Sequence, residues 1–340
     1  MSGLSFASHR QRLCTLLGTV LALALVSPAA LSANAADTSA ALDFPNQPVK
    51  LVVAFAPGTG SDALSRMLAE AMAGPLGQAI VVENRPGGGG IVGTDHVARS
   101  APDGYTMTMG TTSTLITNPY LNPAARYTVQ KDFKPVTGLA RTNFVIVTAN
   151  TPEAPKTLSG LVDRLKAGNA NYASSGMGTI VHLTGERFVR AAGAKATHIP
   201  YKGSAQSVSD VAAGVTLFTA ETMAAALPLV RGGKLRALAV TSAERTQALP
   251  NVPTVIESGY PDFAVYSWFG LMVPAGTPDA IVQKLDEAAR TAMKSPAMAR
   301  RLETLGFESL ATPSAEFAAF IEQEIPAWTN FLKSAGIKLE

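Results

Sequence analysis

Two short loops hold the residues whose types and spacing could do chemistry. They are Pro57-Gly58-Thr59-Gly60-Ser61-Asp62 and Ser174-Ser175-Gly176-Met177-Gly178-Thr179. Each follows a predicted strand and opens a predicted helix. Glycines let successive backbone N–H groups converge, and a helix start adds partial positive charge, so such a loop can hold an anion without any arginine. One Gly-rich turn alone is usually only a turn. Two matching loops in separate lobes would face each other across the crevice where α/β sheets bind ligands. The candidate ligand-binding residues are therefore Gly58, Thr59, Gly60 and Ser61 on the first loop, and Ser174, Ser175, Gly176, Gly178 and Thr179 on the second. Thr111, Thr112 and Ser113 follow a strand end expected to face the same cleft and join the candidates.

Other chemistries are weaker. Gly58-Thr59-Gly60-Ser61-Asp62-Ala63 satisfies the dinucleotide pattern G-x-G-x-x-A, and Glu83 ends the next strand where a ribose-binding acid would sit. A dinucleotide-dependent oxidoreductase is thus the rival reading. No Lys-Ser/Thr follows the glycines, which excludes a P-loop. Ser174 and Ser175 gain a histidine only if His182 turns back towards them, so a Ser–His–acid set stays open, although nothing resembles a nucleophile elbow. His96, His182 and His198 show no metal-ligand spacing; neither a metal site nor a cofactor is expected. Asp62 is read as a helix-start cap, Lys202 as solvated or structural, and Tyr266 and Trp268 as core or hinge packing.

The elements that must position these loops alternate strand and helix, which argues for an α/β sheet with crossover helices. Strands are predicted at Val49–Phe55, Ile80–Val82, Tyr105–Met109, Phe144–Thr148, Asn171–Ala173, Ala196–Ile199, Val215–Phe218 and Leu235–Val240. A helix begins after the first loop and is predicted to stop at Gly74-Pro75; others span Ile91–Arg99, Leu158–Ala167 and Ile180–Ala192. The C-terminal part reads as mostly helical, with Thr277-Pro278 and Thr312-Pro313 each placing a cap before a first-turn proline.

The N-terminus sets the compartment. His9, Arg10 and Arg12 precede the apolar run Leu13–Val26, and Ala33-Asn34-Ala35 is the best cleavage site. This is the layout of a secretory signal over residues 1–35, and the run is short of the ~20 residues a membrane span needs. Cys14, the only cysteine, would leave with it, which excludes disulfides and cysteine chemistry from the mature chain. Net charge would fall from +3 to +1 with the loss of Arg10 and Arg12, and no basic block remains to suggest nucleic acid. A mature chain of about 305 residues favours two lobes over one small core.

Several segments together resemble the substrate-binding proteins of tripartite tricarboxylate transporters, the TctC or Bug-type family. They include Phe44-Pro45-Asn46-Gln47-Pro48, Phe55-Ala56-Pro57-Gly58-Thr59-Gly60-Ser61-Asp62, Val82-Glu83-Asn84-Arg85-Pro86-Gly87 and Ala101-Pro102-Asp103-Gly104-Tyr105-Thr106. Asn171-Tyr172-Ala173-Ser174, Pro200-Tyr201-Lys202-Gly203, the stretch from Gly233 to Thr241 and Ser267-Trp268-Phe269-Gly270-Leu271 continue the series in order. The resemblance implies a two-lobed periplasmic-binding-protein fold with a hinge and an interlobe cleft. Lobe 1 would take residues 43–140 with 241–340, and lobe 2 residues 141–240. It implies a monomeric receptor in the periplasm of a Gram-negative bacterium. The receptor would capture a small organic carboxylate and deliver it to integral membrane permease subunits, without catalysis; feeding a sensor instead is an alternative. The family's usual all-glycine triplet is Gly58-Thr59-Gly60 here. By alignment on Leu227-Pro228, Glu221 stands where the family often has an aspartate and becomes a candidate ligand contact, while Leu217 replaces a second frequent aspartate.

Overall fold

The computed structural model describes residues 43–334; the expected signal segment lies outside them. Among the described residues ten strands form one sheet, and a single long strand makes its two halves continuous. In chain order the elements begin β1 (Val49–Val53), α1 (Gly60–Leu76), β2 (Ile80–Asn84), α2 (Ile91–Ala98) and β3 (Thr106–Thr111). A wide helical turn at Ser113–Thr117 leads into the short α3 (Asn118–Leu121) and α4 (Val129–Asp132), then β4 (Phe133–Ala149). There follow α5 (Leu158–Lys166), β5 (Asn171–Ser174), α6 (Ile180–Ala191), β6 (Thr197–Pro200), α7 (Ser204–Ala212), β7 (Phe218–Thr222), α8 (Met223–Arg231) and β8 (Leu235–Val240). The chain closes with β9 (Tyr266–Pro274), α9 (Asp279–Met293), α10 (Pro296–Thr304), β10 (Phe307–Thr312) and α11 (Ser314–Ser334).

The first half-sheet runs β2-β1-β3-β9-β4, with β10 also on β4. The second runs β4-β7-β5-β6, with β8 on β4. Strands β1, β2 and β3 are parallel, as are β5, β6 and β7, so both candidate loops leave the C-terminal ends of parallel strands. That is where doubly wound sheets present ligand sites. The handover occurs within β4, where Asn143 pairs with Tyr266 of β9 and the next residue, Phe144, pairs with Thr222 of β7. Thr241 ties the crossing together. Its Oγ1 accepts from the Phe144 N–H (2.9 Å) and donates to the Val265 carbonyl (2.7 Å), while its own N–H reaches the Phe144 carbonyl. The result is two α/β lobes joined by a hinge, with a cleft between them.

Each lobe has its own core. Val52, Leu115, Trp268, Met272 and Phe317 anchor one, and Phe144, Tyr172, Phe188 and Phe218 the other. Val255, Phe263 and Leu332, although late in the chain, pack into the second. Helix α11 lies close over β4 and β9 because Gly270 leaves room there: a Cβ on Gly270 would fall 2.1 Å from Phe317 Cζ.

The strand expected at Val215–Phe218 is Phe218–Thr222. Val215 and Leu217 send their N–H groups to the Asp210 carbonyl and to Asn171 Oδ1, so the chain enters the ladder three residues later. Glu221 consequently lies within a strand, not on the loop after it. Helix α1 runs past Gly74-Pro75 to Leu76 and is stopped by Gly77, whose φ of +77° lets its N–H reach the Ala73 and Gly74 carbonyls. Phe144–Thr148 is only the end of the 17-residue β4. Strands β9 and β10 interrupt the C-terminal part expected to be mostly helical. Both proline caps also slip by one residue: α9 starts at Asp279, after Pro278, while Thr277 Oγ1 donates to the Pro274 carbonyl. Likewise α11 starts at Ser314, whose hydroxyl donates to the Pro135 carbonyl.

Candidate functional site

The two loops are built by the same local device. In the first, Thr59 is the N-cap of α1: its Oγ1 accepts from the Asp62 N–H (3.3 Å) and donates to the Ala56 carbonyl (3.1 Å). Asp62 reaches back, and its Oδ2 accepts from the Gly58 N–H (3.0 Å). In the second, Thr179 caps α6. Its Oγ1 accepts from the His182 N–H (3.3 Å) and donates to the Gly176 carbonyl (2.7 Å). His182 reaches back in turn, with Nδ1 accepting from the Gly178 N–H (3.2 Å). Both are reciprocal caps of the capping-box kind, which rigidify a helix entrance. They leave the N–H groups of the first helical residues without an intrahelical acceptor. Those groups are Gly60 and Ser61 on α1, and Ile180 and Val181 on α6.

Asp62 is therefore part of the cap, as expected. Burial pushes its carboxyl up, but hydrogen bonds from Arg66, the Gly58 N–H and Asn84 outweigh this and hold it below the usual carboxylate value. His182 is buried, which lowers its imidazole to about 4 and keeps it neutral. Acceptance at Nδ1 places its proton on Nε2. Its ring stacks on His198 at a 3.9 Å centroid separation, and His198 stacks on Tyr172 at 5.0 Å. Burial, then the neighbouring His182, lower His198 to about 3.

The cleft cavity is lined from both lobes. Thr59, Gly60, Ser61, Thr111 and Ser113 come from the first, and Ser175, Thr179 and Glu221 from the second. Closure is tight. Ser113 Oγ accepts from the Ile180 N–H (2.9 Å), and Thr117 Oγ1 donates to the Gly178 carbonyl (3.0 Å), both across the cleft. The cavity between them is about 30 Å³, the room of one or two waters, so the lobes must part before a ligand can pass.

The other candidates sit behind this lining. Gly58 is exposed and gives its N–H to Asp62. Thr112 Oγ1 is an acceptor for the Trp268 N–H (3.3 Å). Ser174 Oγ meets His198 Nε2 (2.6 Å) and Gly176, while Gly176 and Gly178 shape the turn with φ of +142° and +73°. The histidine beside Ser174 is thus His198, not His182. No carboxylate orients it, because His198 Nδ1 is buried with no partner among the described residues. Ser204, Thr222, Val181, Phe55, Ser267 and Phe269 also line the cavity and were not among the candidates. The first two follow Lys202-Gly203 and Glu221 directly, so a search for hydroxyls at helix starts would have found them. Lys202 itself is exposed. Tyr266 and Trp268 hydrogen-bond Glu324 of α11 and serve to pack it.

Glu221 stands apart. It is fully buried in β7; its Oε1 accepts from the Thr222 N–H (2.9 Å), and its Oε2 has no partner among the described residues. Burial raises its carboxyl to about 7 despite partial relief from the Thr222 N–H.

The dinucleotide reading finds no support. Glu83 is ion-paired with Lys50 (3.1 Å) and Arg85, not free for a ribose. The space before the Gly58–Ala63 turn is filled by the second lobe: a Cβ on Gly60 would lie 3.4 Å from Thr222 Oγ1, and one on Gly58 3.7 Å from Ala205 Cβ. Among the described residues no group of three or more His, Cys, Asp or Glu could hold a metal ion, and no helix is long and apolar enough to cross a membrane.

Known proteins share this architecture. Residues 64–337 match the tripartite tricarboxylate transporter family receptor. Protein BugT of Bordetella pertussis is 35% identical over 94% of this chain and 98% of its own length. An R. palustris protein solved with adipate is 32% identical with a TM-score of 0.84, covering 87% of this chain and 99% of that one. MatC from Rhodopseudomonas palustris, with bound malate, is 31% identical with a TM-score of 0.80, covering 84% and 99%. With its two capped loops meeting across a hinged cleft, and with this similarity along nearly the whole described length, the chain belongs to the tripartite tricarboxylate transporter receptor family, the TctC/Bug solute-binding proteins.

Proposed function

We propose that this protein is an exported receptor that closes over a small organic carboxylate in the periplasm and hands it to membrane permease subunits. The observation that carries the reading is the convergence of two capped helix starts, at Gly60-Ser61 and Ile180-Val181, on one cleft whose lining holds no lysine or arginine. Such starts bind anions through N–H groups and the helix dipole. Lobe 1 is residues 43–140 with 241–340, and lobe 2 residues 141–240, although Val255–Val265 and Leu332 reach over to the second core. Thr59, Gly60, Ser61, Ser113, Ser175 and Thr179 contact the acid; Gly58, Thr111, Thr112, Ser174, Gly176 and Gly178 hold these contacts in place. Glu221 meets the distal end of the ligand. Residues 1–35 direct export. The adipate and malate of the similar structures support a di-acid or related ligand. The unoriented Ser174–His198 pair supports a receptor rather than a catalyst.

The test is thermal unfolding of the signal-free protein against adipate, malate, citrate, succinate and aromatic carboxylates, with NAD and FAD as controls. A ligand at ~100 times its Kd adds about 2.7 kcal/mol. A rise with one acid class and none with the nucleotides supports the reading. A rise with a dinucleotide alone overturns it.

A further inference from the structure

The cleft built for an anion contains a carboxyl of its own. Glu221 lines the cavity yet is 0% exposed, and its Oε2 finds no partner among the described residues. The groups facing it are neutral: Val145 opposite on β4, the Ser204 hydroxyl at the start of α7, and the Thr222 hydroxyl. On the other lobe the cavity lining includes Gly60 and Ser61 at the start of α1, also uncharged. Asp62, one residue further along α1, is neutralised by Arg66, and no charged side chain contributes to the position of Glu221. An ionised carboxylate so buried, with no cation, is strongly disfavoured, and a second carboxylate brought beside it would add repulsion. A neutral carboxylic acid has neither problem. With Oε1 accepting from the Thr222 N–H, the acidic hydrogen falls on Oε2, the atom left without a partner.

We propose that Glu221 works as a protonated acid that donates its Oε2–H to a carboxylate of the ligand, so that the site takes a dicarboxylate together with one proton. This rests on the carboxylate reading above and adds the ligand's second anionic end. Burial places the group near neutrality, so the proton is already present below pH ~6. Above pH ~7.5 it must be drawn from solvent on binding, and affinity for a dianion then falls about tenfold per pH unit.

The experiment is titration calorimetry of the signal-free protein with adipate, malate, succinate and citrate between pH 6 and 8.5, in buffers of different ionisation enthalpy. At pH 8 we expect about one proton taken up per di-acid bound, and close to none at pH 6. Glu221→Gln keeps a donor at the same place. It is expected to bind within about threefold of wild type at pH 6, with affinity flat up to pH 8.5. A flat wild-type profile without proton uptake, or loss of binding in Glu221→Gln that still melts cooperatively, overturns the proposal. So does tighter binding of 6-aminohexanoate than of adipate, which would show an ionised Glu221 pairing with an ammonium group. The wild-type proton count stands even if the variant does not fold. If none of the four acids binds at any pH, this proposal fails, and the carboxylate reading fails with it only if the aromatic carboxylates also leave the melting point unmoved. If an acid binds without proton exchange, only the proposal fails.

Discussion

Thr179 and His182 hold the second loop by a reciprocal exchange: the threonine Oγ1 takes the His182 N–H, and the histidine Nδ1 takes the N–H of Gly178. Thr59 and Asp62 make the same exchange in the first loop with a carboxylate in place of the imidazole. The two lobes thus present matched helix starts, one held by a carboxylate and the other by a neutral imidazole.

Acid should loosen the second lobe. Burial keeps His182 and His198 neutral down to about 4 and 3, whereas the unfolded chain takes up these protons near pH 6.5. The unfolded state therefore binds more protons between about 6.5 and 4, and stability falls as pH falls through that window, by about 1.4 kcal/mol per pH unit for each histidine. Urea melts of wild type against His198→Phe, which keeps an aromatic ring in the stack, should show a shallower pH slope in the variant.

The caps should be separable from the ligand contacts. Thr179→Ala is expected to cost about 1 kcal/mol in denaturant unfolding and to weaken acid binding, with Thr179→Ser restoring most of both. Equal binding by Thr179→Ala and wild type would show that the loop keeps its shape without the cap.

Ser113 contributes to closure more than to folding. Its Oγ accepts the Ile180 N–H from the opposite lobe. Ser113→Ala should lower ligand affinity by roughly 1 kcal/mol, about fivefold, while leaving the melting midpoint of the ligand-free protein nearly unchanged. Small-angle scattering should then show a larger radius of gyration than wild type without ligand.

Gly89 gives a steric counterpart. With φ at +65°, its added Cβ would lie 2.5 Å from the Met177 carbonyl oxygen of the second loop and 2.7 Å from Asn118 Nδ2. Gly89→Ala should hold the lobes apart and reduce affinity at least tenfold, with a stability loss near the ~1 kcal/mol expected for a left-handed alanine. Calorimetry together with scattering would check both parts.

Much of this protein is legible in its sequence because the signals are local. Glycines, capping hydroxyls and the helical spacing that follows Gly60 and Thr179 act within a few residues, so the positions of both loops and the α/β alternation around them are determined by the chain itself. The strand at Phe218–Thr222 is not, because its start depends on where Asn171 and Asp210 catch the preceding turn. Nor are β9 and β10, whose partners lie more than a hundred residues earlier on β4. Only the tertiary structure joins Ser113 to Ile180, seals Glu221 among neutral groups and stacks His182 on His198. Those contacts arise between distant segments, where burial and partner geometry, not residue type, decide what a side chain can do.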